Sequence, residues 1–493
     1  MRKLILLASA MAGLCMATNV AAQVPWTKAP MNFGVAICLE VADFNNDGIM
    51  DIVVFNGNKL NAWFQGPNWV KHNLQANPPQ KFRGSIAVAD FNGDGWMDIV
   101  MPEDNHLNPP GQLYLLENPG AGAVTGPWIK HTIYNYADVF HQNDMAIGDM
   151  DNDGKMDIIV KTRTPARRCI LALQNNLNSW TVRSFNTGEV SKHAEGVAVG
   201  DVDNDGIKDI IISGKYMSPG AAGWRTGTPT YYTVDPTFAN ADANAAVKIA
   251  VKDINGDGKN DIYMGSCEFN TNYLAWYKAP ANPHTSPWIK TVIQPNDGFF
   301  HAVQFGDIDK DGDLDLMTGR SLQGTDGVFV YYNNGNGSSW TKQTVDNTAG
   351  SYFGILKDLD GDGDLDYITP KDYNETVNIY YNQFGGALAQ SKVNFSLSEE
   401  VNFDLDDAMS RRVKVFPNPT AHVVNIQLND VELASEPMVD LISATGHKIT
   451  VQLNSTGFDA YSVPVSEIPD GVYVVSVKDT EKVILNERIV IKH

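Results

Sequence analysis

Residues 149–157 read DMDNDGKMD, with aspartates at positions 149, 151, 153 and 157. Carboxylates this close repel one another and would unfold the segment unless a positive charge sat among them. The spacing is that of a loop wrapped round a hard cation. Oxygens at loop positions 1, 3, 5 and 9 converge, position 7 offers its backbone carbonyl, and glycine at position 6 permits the sharp turn. Here Asp149, Asp151, Asp153 and Asp157 are the side-chain ligands, Lys155 supplies the carbonyl and Gly154 the turn.

The pattern occurs seven times, with starts at Asp43, Asp90, Asp149, Asp201, Asp253, Asp307 and Asp358, spaced 47 to 59 residues apart. The other six ligand sets are Asp43, Asn45, Asp47 and Asp51; Asp90, Asn92, Asp94 and Asp98; Asp201, Asp203, Asp205 and Asp209; Asp253, Asn255, Asp257 and Asp261; Asp307, Asp309, Asp311 and Asp315; and Asp358, Asp360, Asp362 and Asp366. Each copy follows alternating apolar residues and precedes a short apolar run, which reads as strand, cation loop, strand. No amphipathic helix flanks the loop, so it is not an EF-hand. Each unit adds a strand such as YLAWYKAP and a tryptophan segment, at Trp69, Trp128, Trp180, Trp288 and Trp340. Tyr231 and Tyr232 take its place in the fourth unit. Four strands per period make one propeller blade. The seventh unit lacks its tryptophan strand, while the N-terminal segment has an orphan one at Trp26. The first strand is therefore expected to complete the last blade and seal the ring, removing its exposed edges.

The expected fold is all-β: a seven-bladed β-propeller with calcium-binding loops over residues 23–385, a polar linker over 386–412, and a small C-terminal β-sandwich over 413–493. Residues 1–22, with Arg2 and Lys3 ahead of an apolar stretch ending in Ala21-Ala22, read as a signal peptide. Cys15 follows Leu14 rather than a small residue, so no lipoprotein box is read. No later stretch is apolar and long enough for a transmembrane segment. The remaining cysteines, Cys38, Cys169 and Cys267, lack metal-like spacing and are odd in number, so buried small hydrophobes are expected rather than disulfides. The formal charge of −21 argues against nucleic acid. The loops carry 25 of the carboxylates, and seven divalent ions would leave a net charge of about −7. Stability is expected to depend on the metal. A monomer is expected.

The tail carries Pro417-Asn418-Pro419, Ser443-Ala444-Thr445-Gly446, Asp470-Gly471-Val472-Tyr473 and the terminal Lys492. In order and content these resemble the C-terminal sorting domain of type IX secretion. The resemblance implies export through the outer membrane by that machinery, followed by release or surface attachment. The seven loops resemble FG-GAP/VCBS propellers, the repeat family of integrin α heads. That resemblance implies the fold and structural calcium, up to seven ions, and no particular activity.

A propeller binds ligands at one mouth of its channel, lined by the approach to each inner strand and by the turn between the second and third strands. Sequence offsets place Arg83, His141 with Asn143, His193 with Glu195, His301 and Tyr352 at the first set of positions. They place Glu103, Asp104, His106, Lys161, Arg163, Lys215, Tyr216, Trp224, Arg225, Glu268, Arg320, Lys371 and Tyr373 at the second. Basic residues at similar offsets in four blades (Lys161, Lys215, Arg320, Lys371) suggest a funnel for an anionic ligand; solvated loop charges are the plainer alternative. β-Elimination from a uronic acid needs a cation on the carboxylate, a base and an acid. Arg83, Arg320 or Lys161 could be the cation, His141, His193 or His301 the base, and Tyr352 or Tyr216 the acid. Trp224, Tyr216, Phe299 and Phe300 suit sugar stacking. The blade texture is similar to the propeller part of aldos-2-ulose dehydratase-type proteins, a similarity that assigns no catalytic residue. Two functions follow as expectations: a secreted carbon–oxygen lyase or dehydratase acting on acidic poly- or oligosaccharides, or a non-catalytic, calcium-dependent glycan-binding propeller. G-x-S-x-G, H-E-x-x-H and phosphate-loop motifs do not occur.

Overall fold

The structure, a computed structural model, describes residues 23–55, 61–74, 84–103, 111–123, 126–136, 141–164, 168–188, 195–239, 247–267, 273–321, 326–371 and 375–384, and in the tail 413–416, 423–428, 438–443, 448–451, 454–457, 460–465, 468–469, 471–479 and 482–492. The chain divides into two compact units, Met1–Phe384 and Gly385–His493.

The first unit holds seven antiparallel four-stranded sheets. Six of them use consecutive strands. Their inner strands are Cys38–Ala42, Ala87–Ala89, His141–Gly148, Ala198–Gly200, Val247–Lys252 and Phe300–Gly306. Their outer strands are Val70–Asn73, Ile129–Asn135, Ser179–Asn186, Thr230–Thr233, Ile289–Pro295 and Trp340–Asp346. The seventh takes Ile355–Lys357, Asp366–Pro370 and Glu375–Asn382 from the end of the unit, and its fourth strand is the N-terminal Trp26–Ala36. Trp26 pairs with Asn382 and Ala36 with Glu375. The orphan tryptophan thus marks the strand that closes the ring, as expected.

The hydrophobic clusters show the same closure. Each blade shares one cluster with the blade before it and another with the blade after it. Phe44, Val53 and Trp63 of blade 1 pack with Ile99, Met101 and Tyr114 of blade 2. The last junction packs Ile368, Val377 and Ile379 of blade 7 on Leu39, Val41 and Ile52 of blade 1. Alternation along a strand divides its side chains between two neighbours. Ile158 and Val160 face blade 2, while Ile159 faces blade 4. Both faces of the sheet are therefore buried, which is why the second strands read as unbroken apolar runs rather than alternating ones.

The second unit has two four-stranded antiparallel sheets, ordered Val413–Phe416, Val423–Leu428, Ala460–Pro464, Asn454–Gly457, and Lys448–Val451, Met438–Ser443, Gly471–Asp479, Lys482–Ile491. Val424, Ile426 and Val463 of one sheet share a core with Val439, Leu441, Val475 and Ile489 of the other. This is a small β-sandwich. Residues 1–22, the linker 386–412, Pro417-Asn418-Pro419 and Asp470 lie outside the described residues.

Candidate functional site

Strand order fixes two faces. The aspartate loops join inner to second strands, and the turns between third and fourth strands lie on that same face. The approaches to the inner strands and the second-to-third turns lie on the opposite face.

On the loop face, backbone donors impose one geometry on all seven motifs. In the third, Asp149 accepts from Asp153 N and Gly154 N at 3.1 and 3.0 Å, and Asp153 accepts from Lys155 N at 3.0 Å. Gly154 has φ +84°, and a Cβ there would meet nothing within 4 Å. The glycine answers to the left-handed backbone, not to crowding. The position-9 aspartate is fully buried in every blade. Its Oδ2 accepts the N–H of loop position 2, as from Ile308 to Asp315 at 3.0 Å. In six blades its Oδ1 accepts an N–H from the end of the third strand, as from Asn333 at 2.9 Å. Burial pushes Asp51, Asp98, Asp157 and Asp315 up to about 7, against the pull of those donors. So this residue, expected only as a ligand, also clasps the loop to its sheet; its oxygens keep lone pairs for a cation. Four loops bring three carboxylates to within 4.8 Å of one another: Asp149, Asp151 and Asp157; Asp201, Asp203 and Asp209; Asp307, Asp309 and Asp311; Asp358, Asp360 and Asp366. Asp307 Oδ1 and Asp309 Oδ1 are buried without a hydrogen-bond partner. An all-oxygen donor set of this charge could hold a hard divalent cation.

Side-chain amides tie four of the loops to the next blade. Asn118, Gln174, Asn333 and Asn382 donate to the position-2 carbonyl of the preceding blade's loop, at Phe44, Phe91, Ile254 and Ile308, over 2.8 to 3.1 Å.

The channel itself is a cavity of about 180 Å³ walled by all seven blades, with Glu40, Ser85, Asp144, Gly196, Lys248, His301 and Phe353 among its lining. That is smaller than most pockets for drug-sized ligands. Its charges are mutually engaged. Lys248 Nζ lies 2.8 Å from Asp144 Oδ1 and 3.2 Å from Glu195 Oε2, and sits over the Phe353 ring. Asp144 Oδ2 accepts from Gly196 N at 2.8 Å, and the Cys267 thiol lies 3.7 Å from Glu195. Burial works against the Lys248 ammonium, but the two carboxylates outweigh it and hold Lys248 well above the usual lysine range. Burial in the channel wall raises Glu40 to about 7. His301 stacks on Tyr352 at 5.0 Å, with Nδ1 2.9 Å from the Phe299 carbonyl.

Comparison with known proteins agrees with this architecture. Residues 43–101 and 253–318 match the FG-GAP-like repeat family, and residues 82–125 the FG-GAP repeat. Residues 414–492 match the secretion system C-terminal sorting domain. The chain carries FG-GAP repeats and a C-terminal sorting domain. The sorting domain marks this FG-GAP propeller for type IX secretion, to the cell surface or the extracellular space, and for contact with that machinery. No helix among the described residues is long and apolar enough to cross a membrane. A search of curated proteins found no match. Solved structures that match include BBS1N in complex with ARL6DN, from crystals soaked with mercury or with lead. Both are 12% identical with a TM-score of 0.46; they cover 73% and 72% of this chain and 97% and 96% of that one.

The FG-GAP propeller keeps only part of the expected mouth together. His301, Tyr352, Arg320 and Lys371 lie on the face opposite the loops. Arg320 is not poised for a ligand carboxylate: its Nη2 is 2.6 Å from Asp297. Lys161 is wholly buried, with Nζ donating to the Glu195 and Gly196 carbonyls at 2.9 and 3.2 Å and to Ser213 at 3.2 Å. It joins blade 3 to blade 4 from within a strand. The offset rule fails in blade 4, where Ser213-Gly214 forms a tight turn and the third strand begins at Lys215. Lys215 is therefore in a strand, Tyr216 is buried between blades 4 and 5, and Trp224 is buried between blades 3 and 4 beside the loop face. Tyr216 and Trp224 do not line the mouth, and neither ring is available to stack a sugar; Lys215, half-buried, directly follows the turn on the mouth face. Arg225 also lies on the loop face, against Asp151 and Asp153. Phe300 is buried; Phe299 is half-buried at φ +63°. Arg83, Asp104, His106, His193, Glu268 and Tyr373 lie outside the described residues. So do the side chains of Glu103, His141, Asn143 and Arg163, whose backbones lie in strands.

Sequence reading missed Glu40, Asp144 and Lys248. Each stands within an inner strand, where alternation turns it into the channel. A charged residue inside an otherwise apolar inner strand was the available signal.

Proposed function

We propose that this is a secreted binding propeller, held together by calcium, whose mouth opposite the loops engages a glycan without transforming it. One observation carries the preference for binding: three of the described cations at the mouth and channel are already engaged within the protein. Lys248 lies between Asp144 and Glu195, Arg320 lies on Asp297, and Lys161 holds carbonyls. A uronate lyase needs a cation aimed at the substrate carboxylate. Two half-buried aromatic residues remain for sugar stacking, Tyr352 and Phe299. Phe299 adopts the left-handed region, uncommon for a bulky residue and a mark of sites under constraint.

Calcium would sit in the loops, held by the side chains of positions 1, 3 and 5, the position-7 carbonyl and the buried position-9 aspartate. It would supply the countercharge that lets these carboxylates converge.

Retention on an immobilised panel of neutral and acidic glycans, with calcium and with chelator, tests the reading. Retention on one glycan class, lowered at least tenfold by Tyr352→Ala together with Phe299→Ala, is the expected result. Retention that survives both substitutions places the site elsewhere. The lyase or dehydratase reading has one observation in its favour. Glu40, raised by burial to about 7, shares the channel with His301, which stacks on Tyr352, and a carboxyl in that range can exchange a proton at neutral pH. Ultraviolet absorbance from unsaturated uronate, lost in Glu40→Gln, would replace binding with elimination.

A further inference from the structure

We infer that the seven cation loops are not equivalent, and that in blade 3 the guanidinium of Arg225 takes the place of calcium. This rests on the calcium reading above. Arg225 belongs to blade 4, in the turn between its third and fourth strands, and it reaches back over the blade 3 loop. Its Nε contacts Asp151 Oδ2, and its Nη2 lies 3.0 Å from Asp153 Oδ2. Its remaining donors are used nearby: Nη1 donates to Asn175 Oδ1 at 2.8 Å and Nη2 to the Gln174 carbonyl at 3.3 Å. Asp153 Oδ2 also has Lys155 Nζ at 3.0 Å. Two of the four expected ligands of this loop thus carry fixed positive partners.

The turn that presents Arg225 is itself fixed. The buried Trp224 beside it donates from Nε1 to the Lys208 carbonyl at 2.8 Å and packs edge-on against Phe185. Arg183 holds the carbonyls of Trp224 and Gly227. A Cβ at Gly227 would come within 2.6 Å of the Gly223 carbonyl. The guanidinium is therefore presented in place, and its five donors in a rigid fork match carboxylates well. A divalent ion in the same loop would have to take oxygens from it and sit close to a like charge.

The other loops differ. In blade 4, His284 Nε2 pairs with one expected ligand, Asp203, at 2.8 Å, while its ring stacks on Tyr232. In blade 5, Lys278 pairs with Asp257 alone among the expected ligands, at 2.8 Å. In blade 6, Asp307 Oδ1 and Asp309 Oδ1 are buried without hydrogen-bond partners, as Asp151 Oδ1 is in blade 3, but among the described residues no cationic side chain pairs with them. In blade 7, Lys310 pairs with Asp364, which is not an expected side-chain ligand. The junction of blades 3 and 4 thus carries its own cation, while the loop of blade 6 is built to receive one.

Calcium per chain, measured by elemental mass spectrometry after equilibrium dialysis of the whole protein, tests this. Asp151→Asn is expected to leave the count unchanged, and Asp309→Asn to lower it by one. Arg225→Gln is expected to raise it by one. If Asp151→Asn lowers the count as Asp309→Asn does, blade 3 binds calcium and the inference falls. If Arg225→Gln folds, as judged by circular dichroism, and adds no ion, the guanidinium is not what excludes calcium and the inference falls on that arm. A count of zero in every variant overturns the calcium reading itself, and this inference with it.

Discussion

Asn333 shows how one side chain serves two blades. Its amide donates to the Ile254 carbonyl of blade 5 at 3.1 Å, its Oδ1 accepts from Gly337 N at 2.9 Å, and its backbone N–H reaches Asp315. Asn333→Leu leaves buried backbone groups unsatisfied. It is expected to cost about 1–3 kcal/mol in denaturant unfolding, with calcium content unchanged. Glu40 bears on pH. Its carboxyl titrates near 7 in the folded chain against 4.5 as its ordinary value, so between those values the folded state holds the extra proton. Stability attributable to this group is present at low pH and is lost as pH rises through about 7. Glu40→Gln should flatten the fall in melting temperature between mildly acidic and neutral pH; an unchanged slope would show that Glu40 is not the group responsible.

At the scale of the element, the N-terminal strand carries the most consequence. It pairs along Glu375–Asn382, and Lys28 Nζ reaches Asp346 of blade 6 at 2.6 Å, where Tyr380 also donates at 2.9 Å. The same device recurs between blades 4 and 5, where Asp235 accepts from Tyr277 at 2.6 Å and meets Lys290 at 3.4 Å. Removing residues 24–36 would expose a long apolar edge and open the ring. Such a truncation is expected to self-associate in analytical ultracentrifugation, whereas a monomer with unaltered melting would show that the strand is dispensable.

For the whole molecule, charge and closure act together. The calcium loops, if filled as proposed, neutralise much of the formal −21. Excess chelator is then expected to lower the melting temperature of the propeller sharply, with recovery on adding calcium back. A melt indifferent to chelator would show that backbone clasps such as Asp157 on Met150 and Gln174 are sufficient without metal. Seven interblade clusters in a ring make the blades interdependent, so one cooperative transition is expected for this unit.

The sequence by itself determined the blade count, the strand–loop–strand unit, the closing strand at Trp26 and the sorting domain. The first three rest on local spacing: carboxylates at fixed positions, a glycine at loop position 6, tryptophans at one phase of the repeat; the sorting domain rests on the resemblance of its motifs. Only the tertiary structure decided which polar residues meet the channel and which meet a neighbouring blade. Lys161 and Tyr216 looked like mouth residues because an offset gives a place along the strand but not the side to which a side chain turns. In a propeller both sides are buried, so a one-residue difference, such as the tight Ser213-Gly214 turn, moves a residue from the mouth into the contact between blades.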